Sequence, residues 1–479
     1  MALATTPLRE SAQQGIGWVL GVTALGGLGV LMGGALVLGE LQAFWIGLSL
    51  IAAGAVLYDF RIGAVLLILM LPIGSSVIFP RALFGINGLN PLNLVLFATL
   101  ASFLLHGRVQ KAGEFIPRKA LWMYIVPILV AGLLGARYAH LAHPVLYETL
   151  AIHFTDSRGY LIEIVLKPLF MVLTALLIGA AVARSNKPER FLLPIGIAMW
   201  ILGYLAISRV ALTSLSLADI ADPRNREFFS GLGMHANDLG RLYAVAYGLL
   251  LFAWAESSNR VFRLACLATM GVVVLALIFT FSRGAFAGFL VVNALFLMWR
   301  FNMKTMALLA VAGVAFLSLL PEEVWMRLSL GFDTGDADAV SAGRLEGLWI
   351  PLLPEMLNSP LWGNGKSSIM WAEPMDKGLM NIVTHPHNAY IELFYDMGLI
   401  GVVLVIGYFL HVWKGFRALG SNAFLAPELR GFYKGAAAGL VSFFVTGMAG
   451  SSFTPRPEYA FLWIAIGMMY GHLARRPAG

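Results

Sequence analysis

Long apolar runs alternate with short polar breaks along most of this chain. The runs cover approximately residues 15–38, 41–58, 62–80, 91–106, 120–136, 161–183, 191–207, 231–255, 264–281, 285–299, 305–320, 398–413, 435–453 and 458–473. Most approach the roughly 20 residues a helix needs to cross the hydrocarbon core. Their apolar positions are continuous. A membrane β-barrel strand would instead alternate apolar and polar residues. The pattern predicts an all-α polytopic membrane protein with about 14 transmembrane helices. Composition then removes the soluble classes. Of 479 residues, 59% are hydrophobic and only 12% are charged, against about 25% charged in an ordinary soluble domain. Mean hydropathy is +0.79. A soluble enzyme, a nucleic-acid-binding module and a disordered scaffold are excluded, so the net charge of +7 implies no nucleic-acid partner.

Charge does fix an expected orientation. Lys and Arg collect in cytoplasmic loops. With the N-terminus inside and a crossing at each run, the short basic breaks all fall on the inner side. They include Arg108 to Lys119, Arg184 to Arg190, Arg260 with Arg263, and Lys414 to Lys434. The remaining basic residues, Arg209, Arg241, Arg283, Arg344, Lys366 and Arg456 among them, fall in outer loops or within spans. A charge at the centre of a span costs about 2.5–3.5 kcal/mol on insertion scales. Such residues need a partner or a task.

The chain divides into three regions by this reading: N-terminal helices over 1–190, a central region over 191–413 and C-terminal helices over 414–479. The central region contains an outer loop over 321–397, the longest stretch of soluble-like composition. A loop of that length is usually a lid or a binding loop. The single cysteine, Cys266, excludes an intramolecular disulfide and a cysteine metal cluster.

Candidate chemistry gathers at the outer ends. Thr384-His385-Pro386-His387-Asn388 precedes an apolar helix that opens at Gly398-Leu399-Ile400-Gly401. An imidazole titrates near neutrality and can take a proton from a hydroxyl. Asn388 could orient the ring or a sugar hydroxyl. The alternative is an exposed loop with two incidental histidines. Metal chelation by the His-x-His pair would need a third ligand from a distance, and no metal is expected. Arg283 follows a long apolar run at the outer edge, and Arg209 ends another. A guanidinium keeps its charge and binds phosphate bidentately, although either arginine could simply snorkel to lipid headgroups. The start of the run at 231, with His235, Asn237, Asp238 and Arg241, is too polar to face lipid. Asp238 and Arg241 can pair on one helix face, and His235 and Asn237 can line a hydrophilic cavity. Arg344, at the start of an amphipathic stretch through Trp349, binds an anion or caps the loop.

Taken in order, these residues resemble the O-antigen ligase and O-antigen polymerase superfamily of bacterial envelope proteins. The resemblance rests on Arg209 and Arg283 at outer helix ends, on Ser341 to Arg344, and on Ser359-Pro360-Leu361-Trp362-Gly363-Asn364-Gly365. It rests above all on His387-Asn388-Ala389-Tyr390 running to Asp396-Met397-Gly398-Leu399-Ile400-Gly401. It covers roughly residues 200–401. It implies a membrane-embedded, GT-C-like, metal-independent inverting glycosyltransferase without a cofactor, in the bacterial inner membrane with its active site facing the periplasm. The donor would be a glycan on undecaprenyl pyrophosphate, and the acceptor lipid A core or another glycan. His387 would be the base, and Arg283 and Arg209 would hold the pyrophosphate. Arg344, Asn388, His385, His235, Asn237 and Arg241 are further candidates for substrate contact. Ligase and polymerase share this signature, so both acceptors stay open. A transporter or flippase of lipid-linked sugars is the alternative of another class. It would be expected to place its key charges near the midplane and to show an inverted repeat.

Overall fold

The computed structural model describes residues 41–106, 115–149, 151–300, 336–450 and 452–475, with scattered positions between 304 and 329. The predicted span 15–38 lies outside the described residues, and 305–320 almost wholly so. Each of the other predicted runs falls on a helix. Among the described residues, five helices are long and apolar enough to cross a membrane by length and composition: Arg118–Ala136, Ser157–Ala183, Pro188–Ala211, Arg260–Phe279 and Ala389–Gly420. The described strands form one two-residue antiparallel pairing of Ala82–Leu83 with Ile86–Asn87. This is the architecture of an all-α membrane protein.

Three predicted boundaries need correction. The run at 62–80 supports a helix only over Phe60–Met70. At 1.5 Å per residue its 11 residues reach about 16 Å, and Pro72 just beyond cannot continue the ladder. The run at 231–255 becomes helical at Ala236, because His235 forms the N-cap. The helix expected at 398–413 begins at Ala389 under an Asn388 cap, which shortens the outer loop to residue 388.

The chain forms two compact units, residues 1–67 with 77–108, and residues 68–76 with 109–479. In the first, Leu41–Tyr58 packs along Pro91–His106, and Ser102 Oγ donates to the Leu57 carbonyl at 3.3 Å. The second unit is built around the Ala236–Glu256 helix, which is buried almost all round. It packs on Pro427–Gly447, Arg260–Phe279 and Arg283–Arg300. Small residues permit the approach, as is usual where lipid supplies no hydrophobic drive between helices. Gly435 stands against the Gly248 carbonyl, and Gly471 against that of Gly179.

The Ala389–Gly420 helix is broken at Gly398, which has φ 61° and ψ −170°. The broken turn exposes backbone groups that hydrocarbon would not satisfy. The Pro360 to Lys366 segment satisfies them. Asn364 N–H donates to the Tyr395 carbonyl (2.9 Å) and Gly365 N–H to that of Asp396 (3.0 Å). In return Leu399 N–H donates to Pro360 (2.8 Å) and Ile400 N–H to Leu361 (3.2 Å). Gly365, at φ 98°, lies so close to the Arg118–Ala136 helix that a Cβ would stand 2.5 Å from the Gly135 nitrogen. The glycines of both signature segments thus serve one splice. Gly398→Ala should destabilise the protein by about 1–3 kcal/mol from backbone strain alone, and the new methyl would also strike the Leu361 backbone. A lowered unfolding midpoint in detergent is the expected result, and an unchanged midpoint would refute the splice.

The described part of the large loop has a core of its own. Leu348, Leu352, Ile369, Met370 and Met375 are buried with Ala139, Leu146, Ile152 and Phe154 from the loop after the Arg118–Ala136 helix and with Tyr160 from the first turn of the Ser157–Ala183 helix. His143 N–H donates to the Met370 carbonyl at 2.8 Å, joining the two loops.

Candidate functional site

Asn388 fixes the start of the helix that follows the histidines. Its Oδ1 accepts from the Tyr390 N–H (3.0 Å) and the Ile391 N–H (3.3 Å). The histidine loop is clamped from the other side, where Trp349 Nε1 donates to the Pro386 carbonyl at 2.8 Å. Trp349 ends a π-helical turn over Leu345–Trp349 that begins directly after Arg344. Such turns recur at functional sites. Between the two clamps His387 adopts φ 55°, a left-handed conformation uncommon outside glycine. The His385 and His387 rings meet edge to face at 4.1 Å, and the His387 N–H donates to His385 Nδ1 at 3.3 Å.

The electrostatics differ from those of a free imidazole pair. Burial, then the neighbouring His387 ring and the charges of Arg456, Arg241 and Arg344, holds His385 well below the ordinary imidazole range. For His387 burial again leads. Arg344, His235 and Arg241 add to it and Asp238 opposes, and the result is a fall from 6.5 to about 4. Both rings are therefore neutral at pH 7. His387 can accept a proton, and it does so in a field set by cations.

Four segments predicted for the outer side meet here: the histidine loop, Arg344, the start of the Ala236–Glu256 helix, and the stretch before Ala460. Arg241 pairs with Asp238, as the i, i+3 spacing predicts. It also lies 3.7 Å from Glu458 and donates to the Ala449 carbonyl at 3.3 Å. His235 Nδ1 accepts from the Asn237 N–H at 3.2 Å, so this histidine is a helix cap as well as a neighbour of His387. Arg283, half-buried, opens the Arg283–Arg300 helix. The first turn of this helix and the turn before it press on the neighbour of Arg241: a methyl on Gly240 would stand 2.6 Å from the Ala285 Cβ and 2.8 Å from Thr280 Oγ1. Arg209 is placed differently. It is exposed, its Nε donates to the Phe228 carbonyl at 2.6 Å, and its guanidinium lies over the Phe228 ring at 5.1 Å.

Sequence reasoning missed part of this site. Lys366 is 3% exposed, and its Nζ lies 2.6 Å from Glu392 Oε1 and 2.8 Å from Asp396 Oδ2. Asp396 Oδ1 also accepts from the Ser368 N–H at 3.2 Å. Glu392 sits one turn beyond the Asn388 cap, so the buried knot steadies the start of the helix that follows His387. Lys366 was visible only as a basic residue on the wrong side of the topology. Glu458 was hidden inside a predicted span, and Arg456 was noted for its side of the membrane alone.

Residues 268–406 match the family model described as O-antigen ligase. No curated protein matches the chain. The matched stretch includes Arg283, Arg344, Lys366, both loop histidines and the Gly398 break. The match is confined to this central stretch, the segment that builds most of the site, and there the chain is similar to the O-antigen ligase and polymerase superfamily.

Proposed function

We propose that the protein transfers a glycan from undecaprenyl pyrophosphate to an acceptor hydroxyl at the His387 site, on the periplasmic face of a bacterial inner membrane. The observation that carries this reading is a neutral imidazole held at φ 55° beside Arg344 and Arg241, within the stretch that matches O-antigen ligase. His387 takes the proton of the acceptor hydroxyl. The freed oxygen bonds to the anomeric carbon from the side opposite the leaving group, which inverts that centre. The bond from that carbon to the pyrophosphate oxygen breaks, and the pyrophosphate leaves with the electron pair. Fixed cations stabilise the growing negative charge most strongly where water is excluded. Arg344 has this role as a charge felt by both histidines, and Arg283 is assigned it from the start of a helix that packs on the Ala236–Glu256 helix. Arg209 supports it less, since its Nε already donates to Phe228. The field at His387 also favours this chemistry. A pyrophosphate opposes the cations that depress the imidazole, so donor binding raises its proton affinity when a base is needed.

Membranes lacking the protein test the reading. Accumulation of long unattached lipid-linked chains supports transfer to a separate acceptor. Accumulation of single repeat units assigns the same chemistry to polymerisation, and an unchanged lipid-linked pool overturns both. Arg283→Lys should lower transfer by about 10–100-fold, since an ammonium cannot form the bidentate phosphate contact. Full activity in that variant would remove Arg283 from the reaction.

A further inference from the structure

The Ala236–Glu256 helix carries a second charged cluster at its far end. Arg241 and Glu256 are separated by about 22 Å along the axis, so this cluster is remote from His387. Lys434 Nζ lies 2.7 Å from Glu256 Oε1, Arg300 Nη1 lies 3.7 Å from the same oxygen, and Arg430 Nη2 lies 4.0 Å from Oε2. Glu256, Arg300, Lys434 and Arg417 line a cavity of about 250 Å³. Arg417 stacks its guanidinium 4.9 Å from the Trp413 ring. Phe252, Phe296 and Trp299 form the apolar wall, with Phe252 edge-on to the other two at 5.1 and 5.4 Å.

The charges do not balance. The cavity lining sets one carboxylate against three cations, Arg430 reaches the same carboxylate from outside the lining, and the next carboxylate along, Glu428, accepts from Ser257 Oγ at 2.6 Å. Arg430 Nε is buried and makes no hydrogen bond among the described residues. A basic residue that serves topology alone needs only solvent. Here the cations converge from three helices on a cavity with an aromatic side, and Trp299, 44% exposed, continues that wall to the helix surface. Excess positive charge beside an apolar wall that reaches the outer surface of an apolar helix suits a phosphate carried on an acyl chain.

We propose that this cavity binds the phosphate of an anionic membrane lipid. The full-length protein, purified in detergent, is offered phosphatidylglycerol, phosphatidylcholine with the same acyl chains, or inorganic phosphate. Binding is read by native mass spectrometry and by the unfolding midpoint. Phosphatidylglycerol should be retained and should raise the midpoint; phosphatidylcholine and inorganic phosphate should do neither. Arg300→Gln with Arg417→Gln should weaken phosphatidylglycerol binding about thirtyfold, at the usual worth of a basic residue near an anionic headgroup. Arg417→Gln alone, at an exposed position, should weaken it about fivefold if the double variant does not fold. Arg260→Gln with Arg263→Gln removes two basic residues predicted for the same side but outside the cavity, and should leave binding unchanged. Equal retention of both lipids, an equal shift with inorganic phosphate, or equal losses in the cavity and control variants would each overturn the proposal. None of these readouts depends on glycan transfer.

Discussion

His387→Ala should lower glycan transfer by about 100–10,000-fold, the usual worth of a positioned general base, while the protein still folds. The ring is partly buried in a loop, and its removal leaves the Trp349 and Asn388 clamps on either side in place. The variant should therefore elute and unfold like the wild type. The pH dependence gives a separate reading of the same group. His387 lies at about 4 in the free protein, so it is neutral, and able to accept a proton, throughout the physiological range. As pH falls toward 4 the ring gains its proton and loses that capacity. The value of kcat/KM, which reports the free enzyme, should stay level from about pH 8 to about 5 and fall below that. The fall in kcat should come at higher pH, because the bound pyrophosphate offsets Arg344, His235 and Arg241. His385→Ala separates the two histidines. It removes the acceptor for the His387 N–H and should reduce the rate without moving the acid limb. Normal transfer in His387→Ala, with the acid limb lost in His385→Ala, would exchange their assignments.

How much of this could be read from residues alone depends on the range of the interaction. Apolar continuity is local, and it located the helices at Arg260–Phe279 and Pro188–Ala211 within a few residues. The Asp238–Arg241 pair is local too, and its spacing on one face sufficed. The helix start at Ala389 was missed because its first turns carry Glu392 and Asp396, which read as loop by composition. They are tolerated because Lys366 meets both from a segment 26 and 30 residues away. No periodicity links such positions. The segment over 137–160 falls between two predicted runs because its apolar residues, Leu146, Ile152 and Phe154 among them, are few and irregular. Their partners, Leu352 and Met370, come from the large outer loop, far away in sequence. Arg209 shows the opposite failure. Its place at an outer helix end was legible, but the Phe228 carbonyl that receives its Nε proton follows from the path of the intervening backbone.

Lys366→Met should be the most damaging single substitution for the fold. The side chains of Glu392 and Asp396 are 4% and 1% exposed, and the lysine ammonium lies within 2.8 Å of both. Removing one partner of a buried ion pair costs about 3–5 kcal/mol, because the charge left behind has neither water nor a counterion. Here two carboxylates would be left, with Arg456 close enough to Glu392 to feel its charge. The expected result is a markedly lower unfolding midpoint and loss of transfer together. A triple variant tests the cause. Lys366→Met combined with Glu392→Gln and Asp396→Asn removes all three charges and keeps nearly the same volumes. If the damage comes from uncompensated charge, the triple variant should regain most of the lost stability. If Lys366 matters mainly through packing, the triple variant should stay as unstable as the single one. Transfer activity then reports what the knot does for the site. Recovery of both stability and activity would make it a support for the helix beneath His387. Recovery of stability alone would mean that its charge acts on the reaction through the position of the histidine loop.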